Sequence, residues 1–147
     1  MVDIEQLIID LQYDEGYREE IYECTEGYAT FGCGHKVIQS DPEYGYPIGT
    51  PVSEDRCADA FQTDIDNILS NIYAIFPDFD NLPEEVQLIL LNMNFQMGLN
   101  GLSKFKNMRA AIDNQYWQTA ADEMTNSKWF YQTPNRAKRL IARMRAV

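Results

Sequence analysis

A chain of 147 residues, 45% of them hydrophobic, holds enough apolar material for one compact domain and too little for two independent ones. Twelve Lys and Arg against 23 Asp and Glu leave a net charge of -11, which repels nucleic-acid phosphates and anionic membrane surfaces at long range and argues against either as a partner. Cys24, Cys33 and Cys57 are too few and too far apart for a disulfide framework or a zinc site, so reduced thiols and no metal are expected.

The first residues carry acids inside an apolar pattern and no basic leader, which predicts an amphipathic helix in place of a signal peptide. Ile4, Leu7, Ile8 and Leu11 recur at helical spacing up to Asp14-Glu15-Gly16, so Glu15 falls at a helix end. Ile21 to Tyr22 and Tyr28 to Phe31 are short aromatic and β-branched runs around Thr25-Glu26-Gly27, a hairpin signal. The segment from Gln39 to Pro51 is dense in turn formers and predicts a loop with room for one more strand. Ser53 reads as an N-cap, followed by one long apolar stripe through Phe61, Ile65, Ile68, Leu69, Ile72 and Phe76. Pro83 opens another helix, and Val86 to Met97 is apolar on nearly every side, as in a helix buried within a bundle. Gly98 and Gly101 break it. Three further helices follow, centred on Phe105 to Ile112, Trp117 to Met124 and Ala137 to Met144, the last capped by Thr133-Pro134. No run approaches membrane-spanning length. The basic residues Arg136, Lys138, Arg139, Arg143 and Arg145 crowd the last dozen positions and form a local basic face.

Glu15 ends an apolar helix that faces a hairpin, a place where partial burial keeps a carboxyl protonated near neutrality, as a glycosidase acid requires. One acid among 23 also fits a solvated surface, and spacing alone does not decide between them. A longer string does. Asp14-Glu15-Gly16, Tyr22, Thr25-Glu26-Gly27-Tyr28, Thr30 and Gly32-Cys33-Gly34-His35 follow one another in order, then Asn92-Met93 and Phe95-Gln96-Met97-Gly98, then Ser127-Lys128-Trp129 and Gln132 to Arg139. These three colinear blocks resemble the phage lysozymes of the T4 lysozyme type, glycoside hydrolase family 24.

The resemblance implies an α+β, mainly helical, lysozyme-like fold: a small β-hairpin lobe over about 14–52, a connecting helix over 53–76, and a helical lobe from 77–147 with the N-terminal helix 1–13. It implies a cleft for the alternating polymer of N-acetylglucosamine and N-acetylmuramic acid, and hydrolysis after N-acetylmuramic acid with Glu15 protonating the leaving oxygen. Thr30 matches the family threonine that helps hold the attacking water. Cys24 stands where the family more commonly has an aspartate, nine positions after the acid and six before the threonine, although some similar phage enzymes carry cysteine there.

A free thiol ionises with a pKa of about 8.5, so the Cys24 role needs a thiolate favoured by its surroundings. Either the thiolate serves as base toward water and inverts the anomeric centre, or it attacks the sugar and gives a thioglycoside; the family pattern favours inversion. A small buried cysteine on a strand is the alternative without chemistry. Arg136 matches the family arginine that orients the catalytic glutamate, where a solvated arginine at a helix start is the plain reading. Phe95, Gln96 and Ser127 match saccharide-lining positions, although Phe95 and Gln96 fit equally as core and polar rim of the central helix. His35, the single histidine, matches a structural pair with Asp64, which raises its pKa.

The expected protein is therefore an endolysin, a muramidase acting on peptidoglycan for host lysis, with no cofactor. It is expected to be a monomer made in the host cytoplasm, reaching the wall once a holin-like protein has permeabilised the membrane. A lytic transglycosylase using Glu15 alone, and a silent peptidoglycan-binding module, are the alternatives. The acidity either weakens attraction to an anionic wall or fits a salty medium.

Overall fold

The computed structural model describes residues 2–147 and has the expected α+β class, mainly helical with one three-stranded antiparallel sheet. Helix α1 covers Ile4–Glu15; strands β1 (Arg18–Glu23), β2 (Ala29–Gly32) and β3 (His35–Lys36) follow in the order β1-β2-β3. Then come α2 (Glu54–Asn71), α3 (Glu84–Ser103), α4 (Lys106–Asp113), α5 (Trp117–Thr125), α6 (Lys128–Gln132) and α7 (Pro134–Arg145). Two compact units result, one of Ile8–Asn67 and one of the N-terminal residues through Leu7 with Ile68–Val147. The divisions thus fall inside α1 and inside α2.

In the smaller unit, Asp3 and Gly16 bracket α1: the Asp3 carboxylate accepts from the Gln6 amide at 3.1 Å, and Gly16 turns the chain with φ of 69°. Glu15 is consequently the last helical residue. The hairpin pairs Tyr22 with Thr30 and Glu23 with Ala29. Period-two alternation then sends Ile21 and Phe31 into a core with Val52, Cys57 and Ala60, and leaves Tyr22 and Thr30 on the other face. The turn-rich segment supplies no full strand. It is stitched to β1 by single bonds, Ile21 N to Thr50 O at 2.9 Å, Gly49 N to Ile21 O at 2.7 Å and Val52 N to Glu19 O at 2.9 Å.

Ser53 caps α2 as expected, its hydroxyl accepting from the Arg56 amide at 3.1 Å. The α-helix stops at Asn71, short of the expected 76, and tightens into a 3-10 turn at Ile72–Ala74. Residues three apart eclipse in that geometry, so Ile72 and Ile75 remain buried together and the apolar stripe runs on past the α-helix.

In the larger unit, Val86 to Asn94 of α3 is buried on every side. Gln87 donates to the carbonyls of Phe79 and Leu82 at 3.0 and 3.1 Å, satisfying the turn that precedes the helix. Only Gly98 leaves helical geometry, with φ of 74°; Gly101 stays helical, and a Cβ there would lie 2.9 Å from that of Met97. Helices α5 and α7 face each other through Ala120, Ala121, Met124, Ala137, Leu140 and Met144, whose small members let the backbones approach. Helix α6 escapes the sequence pattern because five residues are too few for a periodic stripe.

His35 anchors a polar frame in the smaller unit. Its Nδ1 meets Asp64 at 2.7 Å and its Nε2 meets Asp41 at 2.8 Å. Asp41 also accepts from the Ile38 amide at 2.9 Å and, with Glu43, from Arg56. Two carboxylates on one ring require both nitrogens to donate, the imidazolium form. Burial opposes that charge but is outweighed by the hydrogen bonds and charges of Asp64 and Asp41, so the His35 pKa is raised. Burial likewise works against the Asp41 carboxylate, and the Ile38 amide, His35 and Arg56 overcome it, so its pKa is lowered.

The raised histidine contributes stability fully below its unfolded value and loses it as pH climbs through the folded one; the depressed Asp41 contributes above its unfolded value and loses it as pH falls through the folded one. Both are complete between their ordinary values, 3.8 and 6.5. Substitution His35→Gln should therefore lower unfolding free energy by about 1–3 kcal/mol near pH 6, with a smaller deficit at alkaline pH. Urea unfolding at the two pH values checks this, and a deficit that grows with pH would contradict it.

Candidate functional site

Three of the sequence-predicted catalytic residues, Glu15, Cys24 and Thr30, lie in the smaller unit. Glu15 is half-buried at the end of α1, and its carboxyl lies directly on Gly34. A Cβ added at Gly34 would collide with that carboxylate and stand 2.8 Å from its Cδ and 2.9 Å from its Cγ. Gly34 also has φ of 68°, a left-handed conformation that side chains other than glycine disfavour. The glycine thus gives the acid its seat, by its missing side chain and by the turn it makes.

Thr30 is 2% exposed and sits directly across the ladder from Tyr22. Its hydroxyl donates to Tyr28 O at 2.9 Å, which commits the proton and leaves the Oγ1 lone pairs as acceptors. Cys24 follows β1, and its amide still pairs with Tyr28 O at 2.9 Å. The alternation therefore continues past the strand end, and Tyr22, Cys24 and Thr30 share the face opposite Ile21 and Phe31. Cys24 is a free thiol of intermediate exposure, whereas Cys33 and Cys57 are free and buried.

The half-buried Tyr22 reports on the electrostatics of this face. Burial raises its pKa from 10.0, the negative charges of Glu15 and Cys24 raise it further, and Arg18 opposes them. The Arg18 guanidinium stands 4.6 Å above the Tyr22 ring.

The other expected residues lie in the larger unit. Arg136 is 8% exposed and donates through Nε to Asn92 Oδ1 at 2.9 Å and through Nη2 to Asn92 O at 3.4 Å. Gln96 accepts from the Trp129 indole at 2.8 Å and donates to Thr133 Oγ1 at 3.2 Å, so its amide braces α3 against the α6–α7 corner. Trp129 in turn meets Phe105 edge-on at 6.0 Å. Ser127 caps α6: its hydroxyl accepts from the Phe130 amide at 3.2 Å and donates to Met124 O at 2.6 Å. Phe95 is partly exposed.

Sequence reasoning gave no role to Gly34, Tyr22, Asn92 or Asp41. An isolated glycine just after a strand signals close approach by another group, so Gly34 was open to recognition. Asp41 lies in a turn-rich stretch without periodicity and gave no signal of its own. Among the described residues no group of three or more His, Cys, Asp or Glu side chains is placed to hold a metal ion.

Comparison with known proteins bears on the same residues. The family profile described as phage lysozyme matches residues 12–146. "Probable T4-type lysozyme 1" of Dictyostelium discoideum is 33% identical over 90% of this chain and 89% of its own length. The "Pre-baseplate central spike protein Gp5" of Enterobacteria phage T4 is 30% identical over 88% of this chain, which spans 26% of that protein. "Peptidoglycan hydrolase gp36" of Pseudomonas phage phiKMV is 31% identical over 92% of this chain and 14% of its own length.

Substitution Gly34→Ala should destabilise the protein by about 1–3 kcal/mol, part from the left-handed backbone and part from the collision with Glu15. The collision is removable. Adding Glu15→Ala should recover part of the loss, and a double-mutant cycle by thermal unfolding would read the coupling. Strict additivity of the two substitutions would mean that the carboxyl does not rest on the glycine.

Proposed function

Because the chain belongs to the phage lysozyme family, we propose that it is a muramidase that hydrolyses the β-1,4 bond between N-acetylmuramic acid and N-acetylglucosamine in bacterial peptidoglycan. The observation that carries this reading is the seating of Glu15 on Gly34 beside a hairpin face that presents Cys24 and Thr30 together. The name of the phiKMV relative, a peptidoglycan hydrolase, supports the substrate.

Glu15 acts as general acid and protonates the leaving glycosidic oxygen. Thr30, whose own proton is bound to Tyr28 O, accepts one hydrogen of the attacking water and so orients it. Cys24, as thiolate, takes the other proton while the water oxygen bonds to the anomeric carbon. The C–O bond to the leaving sugar breaks, and Glu15 ends as carboxylate with Cys24 as thiol. Water held on a fixed acceptor favours inversion over a covalent thioglycoside. Arg136, bonded to Asn92, is assigned catalytic support by its match to the family arginine, and Phe95, Gln96 and Ser127 are assigned saccharide binding by theirs.

The biological role that fits is that of an endolysin releasing phage progeny. In this reading the protein is a monomer made in the host cytoplasm, and a holin-like partner opens its way to the wall. No helix among the described residues is long and apolar enough to cross a membrane.

The test is turbidity loss of purified peptidoglycan with mass analysis of the fragments. Substitutions Glu15→Gln and Cys24→Ser should each lower the rate by about 10²-fold or more, Cys24→Asp should retain it, and the products should carry hydrated reducing ends. Anhydro ends with an indifferent Cys24 would make the enzyme a lytic transglycosylase. An inactive wild type on several walls would make it a binding module.

A further inference from the structure

Lys36 ends the small sheet and has no part in the proposed reaction. It is the Cα partner of Thr30 in the β2–β3 ladder, and cross-strand partners leave a sheet on the same side. The adjacent pair fixes which side that is. Phe31, in the core, is the partner of His35, and their rings meet at 4.9 Å. Thr30 and Lys36 therefore share the opposite face, the one that presents Cys24. Lys36 also lies two residues beyond Gly34, the seat of the Glu15 carboxyl, which is about 7 Å of extended chain. Its ammonium stands 5.0 Å from the centroid of the Tyr28 ring and 3.6 Å from Glu26 Oε2. The Tyr28 ring and the Lys36 ammonium are both open to solvent.

Residues 8–67 hold three basic side chains against fourteen acidic ones, and two of the three make short bonds, Arg18 to Glu20 at 2.7 Å and Arg56 to Glu43 at 2.9 Å. The contact of Lys36 with Glu26 is of another kind. It is longer than a hydrogen bond and solvated at both ends, so it contributes little and lets the ammonium turn to a second anion at small cost. We propose that Lys36 and Tyr28 form a subsite for the acidic sugar of the substrate, the ring lying against the apolar face of the pyranose and the ammonium taking a carboxylate that the sugar carries. This deepens the muramidase reading and rests on it for the identity of the polymer.

N-acetylmuramic acid differs from N-acetylglucosamine by an O-lactyl group that ends in a carboxyl. In a bare glycan that carboxyl is ionised; where a peptide stem is attached it is an amide, and the stem brings carboxylates of its own. Both sources offer the ammonium the same anion, while a chain of N-acetylglucosamine alone offers none. In a unit whose field repels anions, one ammonium beside an exposed ring marks the point on the sheet face where an anionic sugar is accepted. The pair thereby separates muramic-acid glycans from neutral polymers of the same backbone.

Substitution Lys36→Met keeps the length of the side chain and removes its charge. On soluble peptidoglycan strands it should raise KM about fivefold to tenfold with kcat changed by less than about twofold, and Lys36→Arg should hold KM within about twofold of wild type. Added salt should raise the wild-type KM and leave that of Lys36→Met nearly flat. A second measurement needs no turnover. NMR titration would compare three probes: the disaccharide of N-acetylglucosamine and N-acetylmuramic acid with its lactyl carboxylate free, the same disaccharide bearing a peptide stem, and neutral chitobiose. At least one acidic probe should bind the wild type more tightly than chitobiose by about the same factor, and Lys36→Met should abolish that preference. A preference for the free disaccharide assigns the lactyl carboxylate, and one confined to the stem-bearing probe assigns the peptide. Loss of affinity for all three probes alike, or a preference that survives Lys36→Met, would overturn the proposal. An inactive wild type would sink the muramidase reading, while the titrations would still decide on the subsite.

Discussion

Burial of Ile21 and Phe31 on one side of the β1–β2 hairpin constrains everything else in the smaller unit. Each such side chain contributes about 1.5–3 kcal/mol when removed from water, and a one-residue slip of register would expose both and drive Tyr22 and Thr30 into the core. The register is therefore locked by apolar packing, and the polar face is its consequence. The same packing brings α2 against the sheet. Gly32 has no Cβ, and one placed there would lie 3.1 Å from the Cβ of Cys57, so the helix closes on the strand at a distance that only glycine permits. Two glycines two residues apart, Gly32 and Gly34, thus admit α2 and the Glu15 carboxyl respectively.

The apolar core is small, and a polar frame takes over where it ends. Arg56, Glu43, Asp41, His35 and Asp64 form a connected set that pins the turn-rich segment to α2 and to β3. The segment contributes no full strand, so these bonds together with its few bonds to β1 give it a defined path. Glu43 shows how closely the charges are matched: hydrogen bonding from Arg56 holds its carboxyl below the usual range although it is largely buried. Removing one member of such a set leaves the others desolvated and unpaired, which is the greater part of why it persists.

Helices long enough to show a stripe were legible in the sequence, and Ser53 and Thr133-Pro134 marked the starts of α2 and α7, although only Ser53 makes a side-chain capping bond. The end of α2 was not, because an apolar stripe continues unbroken into a 3-10 turn whose spacing buries the same side chains. Glu15 was placed at a helix terminus by Gly16 alone. What the sequence does not contain is who touches whom: that Gly34 seats Glu15, that Asp41 completes the pair of His35, and that Gln96 binds Trp129 and Thr133 all depend on residues distant along the chain or in aperiodic loops. Ser127 belongs with them: the sequence offered it only as a match to a saccharide-lining position, and its hydroxyl caps α6, a helix too short to show a stripe.

The charge is as unevenly divided as the chemistry. Residues 8–67 hold fourteen acidic and three basic side chains, the whole net charge of -11, while the remainder of the chain holds nine of each. The unit that bears Glu15, Cys24 and Thr30 is thus the acidic one. In the proposed reaction one negative charge passes from Cys24 to Glu15 and none is created, so the surrounding field shifts both end states alike and changes the chemical step little. It acts instead on the approach of the substrate, where repulsion between an acidic unit and an anionic wall extends over a Debye length of about 8 Å at physiological salt and shrinks as salt rises. The acidity of this chain is in that view a property of encounter, set on the same unit as the catalytic groups yet separable from what they do.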